Sequence, residues 1–257
     1  MNISPKAIKV RNIWIGGTEP CICAPVVGED DRKVLREAEE VCRKQPDLLE
    51  WRADFFRAID DQERVLATAN GLRNIAGEIP ILFTIRSERE GGQPIPLNEA
   101  EVRRLIEAIC RSGAIDLVDY ELAYGERIAD VRRMTEECSV WLVVSRHYFD
   151  GTPRKETLLA DMRQAERYGA DIAKVAVMPK SPEDVLVLLQ ATEEARRELA
   201  IPLITMAMGG LGAITRLAGW LFGSAVTFAV GNQSSAPGQI PIDDVRTVLS
   251  ILQTYSR

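Results

Sequence analysis

The sequence predicts an α/β fold, a (β/α)8 (TIM) barrel with a short amino-terminal β-hairpin closing the barrel floor. Three observations carry this. The chain has 257 residues, the usual size of one such barrel. Short apolar runs alternate with longer amphipathic ones from end to end. Helix caps and stops fall where that alternation needs them. Strict strand–helix alternation means parallel strands joined by helical crossovers. The pattern alone leaves an open, doubly wound sheet as the alternative, and the count of eight units favours closure.

The hairpin comes first, around Ile8–Val10 and Ile13–Ile15. Strand-like runs follow at Cys21–Val27, Asp47–Arg52, Ile81–Ile85, Ile115–Asp119, Val140–Ser145, Asp171–Val177, Pro202–Ala207 and Ser224–Ala229. Helical patterns fill the gaps at Asp31–Lys44, Asp60–Ala76, Leu97–Ser112, Glu126–Glu137, Arg154–Tyr168, Pro182–Leu199, Gly212–Phe222 and Ile242–Tyr255. Asn98-Glu99-Ala100-Glu101 and Ser181-Pro182-Glu183-Asp184 read as N-caps ahead of acidic first turns. Ser112-Gly113 and Tyr168-Gly169 read as helix stops. No linker or low-complexity tract interrupts the series, so residues 1–257 read as one barrel domain.

Composition narrows the function. Hydrophobic residues make up 46% and charged residues 27%, enough to bury a large core without staples. The net charge of −6 argues against a nucleic-acid or anionic-membrane partner, but leaves room for a locally basic pocket. Cys21, Cys23, Cys42, Cys110 and Cys138 are odd in number and irregular in spacing, which fits reduced thiols in the cytoplasm. Met1–Val10 lacks a leader's apolar stretch. The uncharged segment Leu217–Ile242 is too broken to span a membrane.

A barrel works at the C-terminal ends of its strands. The polar residues there are Glu50 and Arg52, Arg86 and Glu90, His147, Lys174, Arg216, and Ser234, Ser235 and Gln239. Lys174 stands in the apolar run Ala170–Val177. It is either a snorkelling or ion-paired lysine, or an amine nucleophile; a desolvated amine near other cations can titrate near about pH 7–8. His147 is the one histidine in the chain, which excludes metal sites needing two. It is either structural or a general acid–base. Glu90, beside Gly91-Gly92, is either a solvated carboxylate or the group that orients His147 and favours its charged form. Arg52, Arg86 and Arg216 give the mouth three cations suited to carboxylates. Gly231–Gln239 is either a plain connection or a lid over the mouth.

Several stretches together resemble the type I 3-dehydroquinate dehydratases. They are Leu49-Glu50-Trp51-Arg52-Ala53-Asp54, Thr84 through Gly92, Ser145-Arg146-His147 with Gly151-Thr152-Pro153, and Gly169 through Lys174. Met206, Met208-Gly209, Arg216 and Ser235-Ala236-Pro237-Gly238-Gln239 complete the set, which runs in family order over nearly the whole chain. The resemblance implies the following roles. Lys174 forms an imine with the C3 ketone of 3-dehydroquinate. His147 takes a C2 proton and returns one to the departing C1 hydroxyl, while Glu90 orients it. Glu50, Arg52 and Arg86 bind ring hydroxyls and tune the site. Arg216 pairs with the substrate carboxylate, helped by Ser235 and Gln239. It implies no metal and no organic cofactor, and a homodimer. Two positions depart from the pattern: Tyr148 stands where many members carry an acid, and Pro25 where some carry serine. Some members are fused to shikimate dehydrogenase, whereas this chain ends soon after its eighth helix and reads as stand-alone. Two rivals stay open: another Schiff-base barrel lyase such as a class I aldolase, and a silent metabolite-binding barrel.

Overall fold

Period-two alternation in the strands decides where every side chain of the site points. The computed structural model describes residues 7–256, so Met1–Lys6 of the stretch read for a leader, and Arg257, lie outside the described residues. A hairpin, β1 (Ile8–Val10) and β2 (Ile13–Ile15), precedes the parallel strands. These are β3 (Cys21–Val26), β4 (Leu48–Arg52), β5 (Ile81–Thr84), β6 (Leu117–Glu121), β7 (Trp141–Tyr148), β8 (Ile172–Val177), β9 (Leu203–Ala207) and β10 (Val226–Val230). Helices α1 (Asp31–Cys42), α2 (Gln62–Ala76), α3 (Glu99–Arg111) and α4 (Ile128–Cys138) follow the first four of these strands. Helices α5 (Lys155–Arg167), α6 (Pro182–Glu198), α7 (Ala213–Phe222) and α8 (Ile242–Tyr255) follow the rest.

The ladder runs from β10 through β3 and on in sequence to β9, all parallel. A two-residue strand, β11 (Ile240–Pro241), adds to the outer edge of β10. The circle closes between β9 and β10 by one bridge, Leu203 to Ser224, not by a full ladder. There Ala225 N–H donates to the Leu203 carbonyl at 2.7 Å, and the Ser224 hydroxyl accepts from Thr205 N–H at 3.0 Å. A side chain thus satisfies backbone groups that a missing ladder would leave bare.

Two apolar layers result. Residues facing the helices, among them Leu49, Trp51, Phe83, Val118, Val144 and Val175, pack with the inner faces of the helices. Trp51 is fully buried, edge-on to Phe56 and Phe83 with centroids 5.8 and 5.4 Å away. Facing inward, Cys23, Leu48, Leu82, Leu117, Val143, Ile172 and Ile204 fill the lower barrel, and Ile8, Val10 and Ile15 of the hairpin seal it from below. Above that plug the inward positions turn polar: Glu50 and Arg52, Thr84, Asp119 and Glu121, Ser145 and His147, Lys174.

The boundaries differ from the sequence reading in three instructive places. β6 begins two residues later and continues to Glu121, and β7 continues three residues past Ser145 to Tyr148, because polar strand ends here face a polar interior. α4 starts at Ile128, since Leu122–Arg127 is a 3-10 stretch broken at Gly125 with φ 57°. The capping signals hold: Asn98 with Glu101 and Ser181 with Asp184 both form reciprocal capping boxes. Asn98→Ala should therefore lower stability by about 1 kcal/mol, read as a lower urea midpoint at unchanged slope.

Candidate active site

Lys174 sits mid-strand on β8, 4% exposed, pointing into the barrel. Its Nζ donates to Asp119 Oδ2 at 3.0 Å, lies 3.5 Å from Glu50 Oε1, and sits 4.6 Å from the centre of the Phe228 ring. It does not snorkel: it is ion-paired, in the interior and not at the surface. Asp119 is shared, because Arg86 Nη2 lies 2.8 Å from Oδ1 and the Ser145 hydroxyl donates to Oδ1 at 2.6 Å. Burial opposes ionisation of Asp119, but Arg86 and Lys174 overcome it and hold the carboxyl well below its usual range.

Arg86 is the hub of this net. Beyond Asp119 it donates to Glu121 at 3.0 Å and to Ser145 at 2.9 Å, and lies 3.7 Å from Glu90. Glu90 closes a 3-10 turn, Glu88–Glu90, after β5. The following path needs glycine: a Cβ at Gly92 would lie 1.9 Å from the Arg86 carbonyl oxygen. Glu90 Oε2 accepts the backbone N–H of His147 at 2.9 Å and faces the ring Nδ1 at 2.9 Å. Because Oε2 is already an acceptor, Nδ1 is assigned as the donor, which leaves Nε2 with a free lone pair.

Burial, then the cations Arg86 and Lys174, pulls His147 well below the ordinary imidazole range. Burial, then the charge of Glu121, pushes Glu90 up to about 8, against Arg86 and Arg146. The imidazole is thus neutral near pH 7, where the sequence reading expected Glu90 to favour its charged form. A neutral, oriented imidazole is what a proton acceptor requires.

The other arginines differ from one another. Arg52 is locked to Asp54 through two bonds of 2.8 and 2.9 Å and donates to the Ser235 carbonyl at 3.2 Å. Arg216, fourth residue of α7 and 2% exposed, donates to the carbonyls of Phe228 and Pro237, each at 3.1 Å. Its Nε has no partner, and no carboxylate pairs with it among the described residues. Burial lowers its pKa to about 10. A buried guanidinium lacking a counter-charge is prepared for an anion.

Segment 231–239 lies across the mouth. Ser235 and Gln239 bond each other, with Ser235 N–H donating to Gln239 Oε1 at 3.0 Å and Gln239 Nε2 donating to Ser235 Oγ at 3.2 Å. Gly238, at φ 76°, brings this segment so close to Gly209 that a Cβ would meet its carbonyl oxygen at 2.4 Å. The space beneath is a cavity of about 40 Å³, lined by nine of the ten polar residues named from the sequence, Glu50, Arg52, Arg86, Glu90, His147, Lys174, Arg216, Ser235 and Gln239, while Ser234 lies at a cleft beside α1. Larger clefts of about 490 and 590 Å³ lie at the floor and flank. The second carries five charged residues of and beside α1, but neither cleft holds the imidazole or a buried lysine, so chemistry and not size identifies the site.

Sequence reasoning missed Asp119, Glu121, Asp54 and Ser145. The signal was present for the first two: Leu117-Val118-Asp119-Tyr120-Glu121 sets two acids on one face at a strand end. Among the described residues no cluster could hold a metal ion, and no helix is long and apolar enough to cross a membrane.

A parallel α/β barrel with a buried amine, an imidazole–carboxylate pair and an unpaired guanidinium at one mouth belongs among barrels equipped for carbonyl and proton-transfer chemistry. The comparisons make this specific. The type I 3-dehydroquinase family model matches residues 22–256, and the chain belongs to that family. It is 66% identical over 257 residues to the 3-dehydroquinate dehydratase of Geobacillus thermodenitrificans, covering all of both chains. It is 52% identical over 239 residues to that of Aromatoleum aromaticum, covering 93% of this chain and 92% of the other. Among solved structures, the type I enzyme of Clostridium difficile with covalently modified comenic acid superposes with a TM-score of 0.93 at 38% identity, covering 98% and 99%.

The lone histidine allows a direct test. Its imidazole proton resonances should titrate well below pH 6.5, and a midpoint at or above 6.5 would contradict the burial argument. Since the folded pKa is the lower one, the unfolded chain takes up a proton that the fold refuses, so this group costs stability as pH falls below about 6.5.

Proposed function

We propose that this chain dehydrates 3-dehydroquinate to 3-dehydroshikimate, a hydro-lyase step of the shikimate pathway to the aromatic amino acids, through an imine on Lys174. The observation that carries the reading is the convergence of Lys174, the His147–Glu90 pair and the uncompensated Arg216 on one enclosed cavity.

Lys174 adds to the C3 ketone and loses water as the imine forms; Asp119 and Glu50 stand within reach of the protons the amine sheds. The protonated imine is a strong electron sink, so the lone pair of His147 Nε2 takes the C2 proton and leaves an enamine. The enamine electrons expel the C1 hydroxyl, which departs as water with the proton His147 has just taken. Hydrolysis of the conjugated imine consumes one water, which offsets the water released when the imine formed, so the net change is loss of one water. Every step runs on side chains, and no cofactor is called upon. Arg216 pairs with the substrate carboxylate, with Ser235 and Gln239 closing over it, while Glu50, Arg52 and Arg86 meet the ring hydroxyls. A relative carrying a covalently modified ligand supports covalent capture in this fold.

The same proposal makes residues 1–257 one catalytic domain acting in the cytoplasm, with all five cysteines as free thiols and no nucleic-acid or membrane partner. It also makes the protein a homodimer. The exposed apolar residues Ile214, Leu221, Ile251 and Tyr255 on neighbouring helices α7 and α8 give such a contact a charge-poor face.

Borohydride reduction in the presence of 3-dehydroquinate should fix a mass adduct on the peptide carrying Lys174, and Lys174→Ala should lose both adduct and turnover; a folded wild type that yields no adduct would remove the reading. Arg216→Ala should raise KM by about 10- to 100-fold with the adduct still forming, as expected when a charge-assisted bond is lost. An unchanged KM would place the carboxylate elsewhere.

A further inference from the structure

We propose that Arg146 is a positioning residue of the acid–base pair: its guanidinium holds the Glu90 carboxyl in place, so that Glu90 can orient His147. This rests on the function proposed above. Arg146 and His147 are adjacent on β7, so their side chains leave opposite faces of the strand. They nevertheless converge on one carboxylate. Arg146 Nη1 donates to Glu90 Oε1 at 3.3 Å, while Oε2 is taken by His147. The carboxylate is therefore gripped at both oxygens by consecutive residues, which fixes its plane relative to the imidazole.

Arg146 is itself braced. Its guanidinium carbon lies 5.2 Å from the centre of the Tyr148 ring, two residues on and on the same strand face. The Tyr148 hydroxyl donates to Asp161 of α5. Tyr148 thus links the guanidinium to α5.

The charge environment of Glu90 singles out Arg146. Arg86 faces it from the end of β5, Arg146 and His147 from β7, and the acids Asp119 and Glu121 from β6. Arg86 lies closer to Asp119, at 2.8 Å, and to Glu121, at 3.0 Å, than to Glu90, at 3.7 Å, so its charge is divided. The one ion pair of Arg146 among the described residues is with Glu90. Burial works against a charged Glu90, and Arg146 is the cation not already committed to another acid.

The test is kcat/KM against pH for wild type, Arg146→Met and Arg146→Lys. Arg146 is 34% exposed, so these substitutions leave the core intact. Arg146→Met should move the acid limb up by about one pH unit, the scale expected for losing one nearby opposite charge that solvent partly screens. At a fixed pH on that limb the rate then falls about tenfold. Arg146→Lys should restore most of the wild-type profile, and the Lys174 adduct should still form in both variants. An acid limb that stays put in Arg146→Met, with Glu90→Gln still impaired, would overturn the positioning role. If the wild type itself neither turns over nor traps an adduct, it is the proposed function that fails.

Discussion

The need to neutralise a buried ammonium governs the upper barrel. Lys174 lies inside, where an unpaired charge costs several kcal/mol, and Asp119 supplies the opposite charge at 3.0 Å. Asp119 in turn needs Arg86, and Arg86 needs Glu121 and Ser145 to complete its donors. The members come from β6, β7, β8 and the turn after β5, so the net exists only when the parallel register is right. A slip of one residue in β6 would turn Asp119 and Glu121 outward and put Tyr120 in their place, stranding two cations. The charges thus enforce the strand register that the apolar plug below merely permits.

That dependence explains what could be read from the sequence. The barrel was legible because each layer has its own period: apolar runs for strands buried on both faces, amphipathic stretches for helices, and polar residues where strands meet the mouth. Lys174 and His147 were legible because each is the exception in an apolar neighbourhood. Asp119 was not singled out because the strand was ended upon it, and a carboxylate at a strand terminus looks like an edge. Asp54 and Ser145 were hidden for other reasons. Ser145 meets Arg86 and Asp119 across 59 and 26 residues, which no local pattern reports, while Asp54 pairs with Arg52 only two residues away, a local pair the strand-end reading passed over. The expected charged imidazole failed on the same ground, since burial beside two cations outweighs one neighbouring acid.

Tyr148 and Pro25 are both accommodated by their surroundings. The Tyr148 hydroxyl meets Asp161 on α5, so an acid stands near the strand end at one remove. Pro25 is buried in β3 two residues past Cys23, the last residue of that strand paired with β10, so it sits where that ladder has ended. Neither residue disturbs the inward row that carries Glu50, Asp119, His147 and Lys174.

The closed mouth imposes a final constraint. A cavity of about 40 Å³ is far below the several hundred that ring-sized ligands occupy. Segment 231–239 borders that space, and its attachments are unequal. Its base is tied to α1, with Lys44 donating to the Gly231 carbonyl and Asn232 to Glu40. Its far end is held by weaker, exchangeable contacts: Arg52 to the Ser235 carbonyl and Arg216 to the Pro237 carbonyl. Neutral carbonyls are poor rivals to a carboxylate for a guanidinium that burial has left without a counter-ion. On the proposed function, a substrate carboxylate takes the place of the Pro237 carbonyl at Arg216 without stranding the cation, and the Ser235–Gln239 pair lies beside it with donors to turn toward the ligand. Arg216 thus ties the segment to the barrel through a neutral carbonyl while its own charge has no counter-ion among the described residues.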